Sequence, residues 1–324
     1  MTGASLVTGA SGFLGRPLVR ALLSEGRPVL AFCRNASALS DLRHPALRVV
    51  SGDLRDSSSW SPLLREAASV FHLAAARNGP ATRARELEEV NVTATLDLAR
   101  NANEAGVARF VNVASALMYG PSAGTVRTEA DGIVPERTFG AYSRSRAVAA
   151  LALGPLAVTV CPTVVFGPDR PSHPNRVTAE IRRLLRRRRA LLVAGGRQPR
   201  NLVYVDDVVR GLLAAESLGK PGESYILGGE EVAHRELAQL VFARAGIRGR
   251  LLSSPAGMVL AMAVLADRLR RSDPGCGYAT GVRILLRAWR FDSGKARRDL
   301  GYEARPLAEG LARTIDWLRG REER

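Results

Sequence analysis

Apolar and polar positions along this chain alternate between two periods. The short apolar runs Leu6–Thr8, Pro28–Cys33, Leu47–Leu54, Val70–Ala75, Arg109–Ser115 and Leu156–Pro168 have the length and β-branched content of strands in a parallel sheet. Between them lie stretches with apolar residues at helical spacing. Arg16–Glu25 is an amphipathic helix, a long helix begins at Glu89-Val90-Asn91, and another carries Tyr142. Strand and helix thus take turns, which is the pattern of an α/β protein with helices on both faces of the sheet. Further on, Arg200–Val209 reads as a strand passing into a helix, with Asp206 and Asp207 as its cap and first-turn acid. Tyr225–Gly229 reads as a late strand and turn, His234 stands near a helix start, and Leu307–Arg319 is a last helix. The greasy helix around Met258–Leu265 is too short to span a membrane, and core packing is its expected role, ahead of a hydrophobic substrate wall and, last, membrane contact.

At 324 residues and 46% hydrophobic content the chain can bury a full core. It divides into a dinucleotide-binding core over 1–165 and a mixed region over 166–324 that completes the sheet and builds a substrate lobe interleaved with it. The first residues enter a strand with no basic-then-apolar leader, and Cys33, Cys161 and Cys276 lack metal-ligand spacing. Reduced, inert thiols in a cytoplasmic protein and no metal site are the expectation. The net charge of +16 invites a nucleic-acid reading. Against it, the densest basic run, Arg182–Arg189, keeps leucines at helical spacing, as a solvated helix face does, and no nucleic-acid-binding module is present. The basic surface suits a phosphorylated cofactor, a coenzyme A-linked substrate or an acidic carrier protein.

The chemistry begins at the first strand. It runs into Gly9-Ala10-Ser11-Gly12-Phe13-Leu14-Gly15 and then a helix. Gly9 permits a sharp turn, Gly12 a close approach of backbone to a pyrophosphate, and Gly15 close packing of helix on strand, with the helix N–H groups facing the phosphates. The second strand ends at Arg34, where a site for NAD would place an acid for the ribose hydroxyls. A guanidinium there suits a 2′-phosphate, so NADP(H) is expected in preference to NAD(H). Ala74 and Ala75, ending the fourth strand, leave room for the cofactor, and His72 reads as a packing residue.

Thr8–Gly15, with its Gly-x-x-Gly-x-x-Gly spacing, resembles the extended branch of the short-chain dehydrogenase/reductase superfamily. So do Gly52-Asp53-Leu54, Asn91–Thr95, Ser115 ahead of Tyr119-Gly120, the Tyr142–Arg146 spacing, Pro162–Pro168 and Arg200–Val209. The resemblance covers nearly the whole chain and is nearest the dihydroflavonol-reductase-like and 3β-hydroxysteroid-dehydrogenase-like members. It implies a Rossmann-like doubly wound parallel sheet with a smaller C-terminal substrate lobe. It places Gly9, Ser11, Gly12, Phe13, Leu14, Gly15, Asp53, Leu54 and Pro162 on the cofactor, with Asp53 at the adenine amino group. Ser115 would hold the substrate oxygen and Tyr142 would exchange the proton. The family's Tyr-x-x-x-Lys puts both side chains on one helix face, and here the lysine is replaced by Arg146. Arginine keeps the charge that favours the phenolate and can bond the nicotinamide ribose, but it relays no proton. Sugar-nucleotide dehydratases of this branch place an Asp-Glu pair after the serine, whereas this chain has Ala116 and Leu117.

These residues point to an NADPH-dependent reductase acting on a ketone or aldehyde of a fairly apolar small molecule, with Ser115, Tyr142 and Arg146 catalytic. Two alternatives stand beside it. One is a sugar-nucleotide epimerase with Arg200 on the diphosphate. The other is a protein that binds NADP(H) without redox turnover, for which Arg146 is the argument. Homodimerisation through the helices near Asn91 and Tyr142 is common in the resembling family.

Overall fold

The apolar runs assemble around the first of them. In the computed structural model, which describes residues 3–79, 81–169 and 175–322, the chain forms β1 (Ala4–Thr8), β2 (Val29–Cys33), β3 (Leu47–Ser51), β4 (Ala67–His72), β5 (Arg109–Val113) and β6 (Val158–Pro162). The strands β7 (Val164–Phe166), β8 (Arg189–Val193) and β9 (Pro199–Tyr204) follow, then β10 (Ser224–Leu227), β11 (Glu230–Ala233) and β12 (Arg250–Ser254). A seven-stranded sheet runs in the order β10-β6-β5-β4-β1-β2-β3, with every neighbouring pair parallel. The chain leaves β1 to one side for β2 and β3 and returns on the other for β4 onwards. At that reversal a crevice opens beyond the carboxyl ends of the strands.

Burial on both faces explains the near-continuous apolar runs. Every residue of β2 and of β6 is buried. The helix Gly15–Ser24 presses Leu18, Val19, Leu22 and Leu23 inward, each stabilising by about 1.5–3 kcal/mol relative to exposure. A smaller lobe holds the sheet β11-β9-β7 and the parallel pair β12-β8. Its core gathers Phe166, Ile181, Leu192, Leu202, Leu237 and Leu311. β10 returns from this lobe to the edge of the main sheet before β11 leaves it again, so the strands cross three times between them. Among the described residues no helix is long and apolar enough to cross a membrane.

Several elements depart from expectation. β3, β4 and β5 stop at Ser51, His72 and Val113, freeing Gly52–Leu54, Leu73–Ala75 and Ala114–Ser115 to wall the crevice. The run Leu156–Pro168 divides after Pro162, since β6 pairs in the main sheet and β7 pairs with β9. The helix expected from Glu89 is preceded by Ala84–Glu88 and opens with a π turn over Glu89–Thr93. Tyr204, not Asp206, is the cap residue before Val205–Leu218, and both aspartates lie in the first turn. Asp207 is fully buried between Arg305 at 2.8 Å and Arg210 at 2.7 Å. The basic run behaves as expected. The helix Arg176–Arg187 buries Val177, Thr178, Ile181 and Leu184 and turns most of its arginines outward.

The greasy helix is a correction. Over Ala256–Arg270 only Ala263 is buried, while Met262 and Leu265 are 65% and 57% exposed. It packs chiefly on the neighbouring helix Tyr278–Leu285, and among the described residues no third layer covers its outer side.

Candidate active site

The glycine loop has a shape that only glycines permit. Gly9 sits at φ 67°, and a Cβ there would lie 2.7 Å from the Ala74 nitrogen. At Gly15 a Cβ would come within 2.2 Å of the Gly9 carbonyl oxygen, and at Gly12 within 3.0 Å of the same atom. Gly12 N–H donates to Gly9 O at 2.9 Å, closing the turn and leading into the helix at Gly15. Backbone on three sides therefore holds the loop open toward the crevice. That is the cradle a pyrophosphate requires, so these residues fit a dinucleotide.

The crevice is a cleft of about 560 Å³, and it gathers nearly all the predicted residues. Gly9, Ser11, Gly12, Phe13, Leu14 and Gly15 form one wall. Arg34, Asp53 and Leu54 close one end, Ala74 and Ala75 form the floor, and Ser115, Tyr142 and Pro162 stand at the other end. Asp53 is already engaged: Oδ1 accepts from Arg55 N at 2.9 Å and Nε at 3.0 Å, and Oδ2 accepts from Nη2 at 2.7 Å. The hydrogen bonds from the Arg55 guanidinium pull the Asp53 carboxyl down to about 2. Arg55 and Arg77 line the cleft with Arg34, two cations that sequence reading did not single out. In an arginine-rich chain nothing local marks them.

At the chemical end, Ser115 precedes a short 3₁₀ turn, and its Oγ accepts from Leu117 N at 3.3 Å. Tyr142 stands in the first turn of the helix Gly140–Leu153. That helix start is anchored from outside, because Tyr142 N donates to Asn78 Oδ1 at 3.2 Å and Ala141 N to Gly275 O at 3.1 Å. Fully buried Asn91 braces the wall behind it. Its Oδ1 accepts from Ala76 N at 2.8 Å, and its Nδ2 donates to Ala76 O at 3.0 Å and Ser145 Oγ at 2.9 Å. Asn91 therefore ties the floor of the cleft to the tyrosine's helix, a role its segment hinted at but spacing alone did not assign.

A protein-family model described as the NAD dependent epimerase/dehydratase family matches residues 5–228. The chain belongs to that family. It is 31% identical to "Sterol demethylase protein B" of Methylococcus capsulatus, across 98% of each chain. It is 28% identical to a 4-hydroxy-2-methyl-3-oxo-4-farnesyl-3,4-dihydroquinoline-1-oxide ketoreductase of Stigmatella aurantiaca, over 93% of this chain and 92% of that one. Among solved structures, MoeE5 in complex with UDP-glucose and NAD superposes with a TM-score of 0.75 at 29% identity, covering 99% of this chain and all of the other. The protein is an enzyme of nicotinamide-dependent oxidoreductase chemistry, built on the extended short-chain dehydrogenase/reductase scaffold.

Within this epimerase/dehydratase-family enzyme, two predicted residues stand apart from the cleft. Arg146 is 1% exposed and does not line it, and its Nε and Nη1 have no hydrogen-bond partner among the described residues. Burial pushes its pKa down, while the nearby Tyr142 and Cys161 act to raise it. An arginine so placed stays charged. Arg200 likewise does not line the cleft; its Nη1 lies 3.4 Å from Glu180, which also meets His234 Nε2 at 2.5 Å, while its Nε and Nη2 have no hydrogen-bond partner among the described residues. Burial raises the Glu180 pKa, but the hydrogen bond from His234 and the charge of Arg200 outweigh this and hold it below the ordinary value.

His72 is confirmed as a packing residue. It is fully buried, with Nδ1 at 2.8 Å from Thr8 Oγ1 and Nε2 at 2.9 Å from Thr95 Oγ1. Desolvation, helped by the Arg146 charge, lowers its pKa to about 3. A group depressed in the folded state stabilises fully above its unfolded value of about 6.5 and loses that stability as pH falls from there toward 3. Between pH 7 and pH 5 the wild type should lose about 2 kcal/mol more than His72→Gln. Urea titrations of both proteins at the two pH values check this, and equal losses would contradict it.

Proposed function

We propose that the enzyme reduces a ketone or aldehyde on a fairly apolar small molecule with NADPH. One observation carries the reading: Ser115 and Tyr142 share a single cleft with the glycine loop and Arg34. A nicotinamide dinucleotide bound along that loop supplies the hydride. The chain's own residues do the rest. Ser115 Oγ positions the carbonyl oxygen and Tyr142 donates the proton to it, with the buried charge of Arg146 one turn further along the same helix. Arg34, with Arg55 beside it, would receive the 2′-phosphate. The ketoreductase relative, whose named substrate joins a ketone to a farnesyl chain, supports an apolar carbonyl substrate.

The epimerase alternative is weaker, because Arg34 in the cleft suits a 2′-phosphate and Arg200, which would meet a diphosphate, lies against Glu180 outside the cleft. The positions after Ser115 are Ala116 and Leu117, so the acid pair that dehydration uses is missing.

Calorimetric titration with NADPH and NADH, followed by turnover of apolar ketones, tests the whole reading. Selective NADPH binding is the expected result, and failure to bind either nucleotide would end it. Arg34→Glu should weaken NADPH by about 30–100-fold while changing NADH by less than about threefold. Equal loss of both would remove Arg34 from the 2′-phosphate.

A further inference from the structure

The helices Ala256–Arg270 and Tyr278–Leu285 form a hairpin whose connecting loop is fastened to the rim of the cleft. Gly275 O accepts from Ala141 N and from Asn78 Nδ2, both at 3.1 Å, and these residues adjoin the cleft-lining Tyr142 and Arg77. Asp273 accepts from Ala84 N and from Arg83, each at 2.9 Å. Asp267 accepts from Tyr278 N at 2.7 Å and Ala279 N at 2.8 Å, which fixes one helix against the other. The hairpin is thus a rigid projection rooted at the active-site mouth.

Its outer side is apolar. Met258, Met262, Leu265 and Leu269 are 52%, 65%, 57% and 78% exposed. Their spacing of four, three and four residues sets them in one stripe along the helix. Single exposed leucines are ordinary, but a continuous stripe marks a surface that something covers. Around it the charge has one sign. Arg268, Arg270, Arg271, Arg283 and Arg287 are exposed, while Asp267 and Asp273 are both consumed in fastening the hairpin.

We propose that this hairpin docks the enzyme on a bilayer surface rich in anionic lipid, with the stripe in the acyl boundary and the arginines at the phosphates. Apolar side chains on one face with cations beside them are what an interfacial helix requires. Charge complementarity selects this occupant over a second copy of the chain, which would oppose the same arginines and the same net +16. The proposal is independent of the reductase reading, since docking is read without turnover.

The test is co-sedimentation of the full chain with vesicles of phosphatidylcholine alone and of phosphatidylcholine with about one third phosphatidylglycerol. Binding should be at least about tenfold stronger to the anionic vesicles and should weaken with salt. Met262→Glu with Leu265→Glu should reduce it by at least about tenfold while leaving dinucleotide affinity unchanged. Leu269→Glu, at a more exposed position, is a second variant with little risk to folding and should act in the same direction. Absence of binding to anionic vesicles, or equal binding by wild type and both variants, overturns the proposal. So does a dimer in sedimentation equilibrium, or a complex with an acidic carrier protein, that the glutamates dissolve while vesicles remain unbound.

Discussion

Tyr142→Phe is expected to lower kcat by about 10²–10⁴-fold and to leave dinucleotide affinity within about threefold of wild type. The substitution removes one hydroxyl and nothing that holds the site together. The helix start is fastened through backbone atoms, with Tyr142 N bonded to Asn78 and Ala141 N to Gly275, and phenylalanine keeps both bonds. Ser115 would still position the carbonyl oxygen, but no phenol would remain to protonate it. Pre-steady-state and steady-state rates on an apolar ketone, together with a calorimetric titration, separate the two effects. Retained turnover would remove Tyr142 from the proton transfer, whereas lost binding would show that the ring supports the cleft rather than the chemistry.

Gly15→Ala is expected to weaken dinucleotide binding about 100-fold and to cost about 1–3 kcal/mol of stability. The added methyl would meet the Gly9 carbonyl oxygen at 2.2 Å and Ala10 Cα at 2.8 Å, all of it backbone. The helix Gly15–Ser24 must therefore shift away from the turn, carrying its N-terminal N–H groups out of register with the phosphates. Gly257→Ala is the matching control. It also lies in a helix, nothing stands within 4 Å of its added methyl, and both binding and stability should hold. Calorimetry and urea unfolding of the pair check this. Similar behaviour of the two variants would mean that the tight contact at Gly15 does not shape the site.

Arg146 stands where the resembling family has the lysine of its Tyr-x-x-x-Lys. Its guanidinium is buried one helix turn beyond Tyr142, with two nitrogens unpartnered among the described residues, a costly arrangement for a charge. We infer that the cost is kept because the charge serves a bound dinucleotide and the reaction beside it.

The sequence by itself determined what depends on neighbours in the chain. Alternating short apolar runs and helical stretches announced a doubly wound parallel sheet, because burial on both faces and one-sided burial leave different periods. Gly9, Gly12 and Gly15 announced the cradle, because each depends on a local turn, and the family resemblance pointed to Ser115 and Tyr142, which the folded chain brings into the same cleft. Tertiary structure alone decided what depends on residues far apart. Arg200 meets Glu180, which also holds His234, only when β9 and two helices pack together. Asn91 reaches Ser145 across 54 positions. The helix Ala256–Arg270 looked like core because apolarity is legible in a sequence, whereas the absence of a covering layer is a property of the packed molecule. Side-chain chemistry is written residue by residue, but which charge is neutralised and which apolar face is left bare is settled by long-range packing.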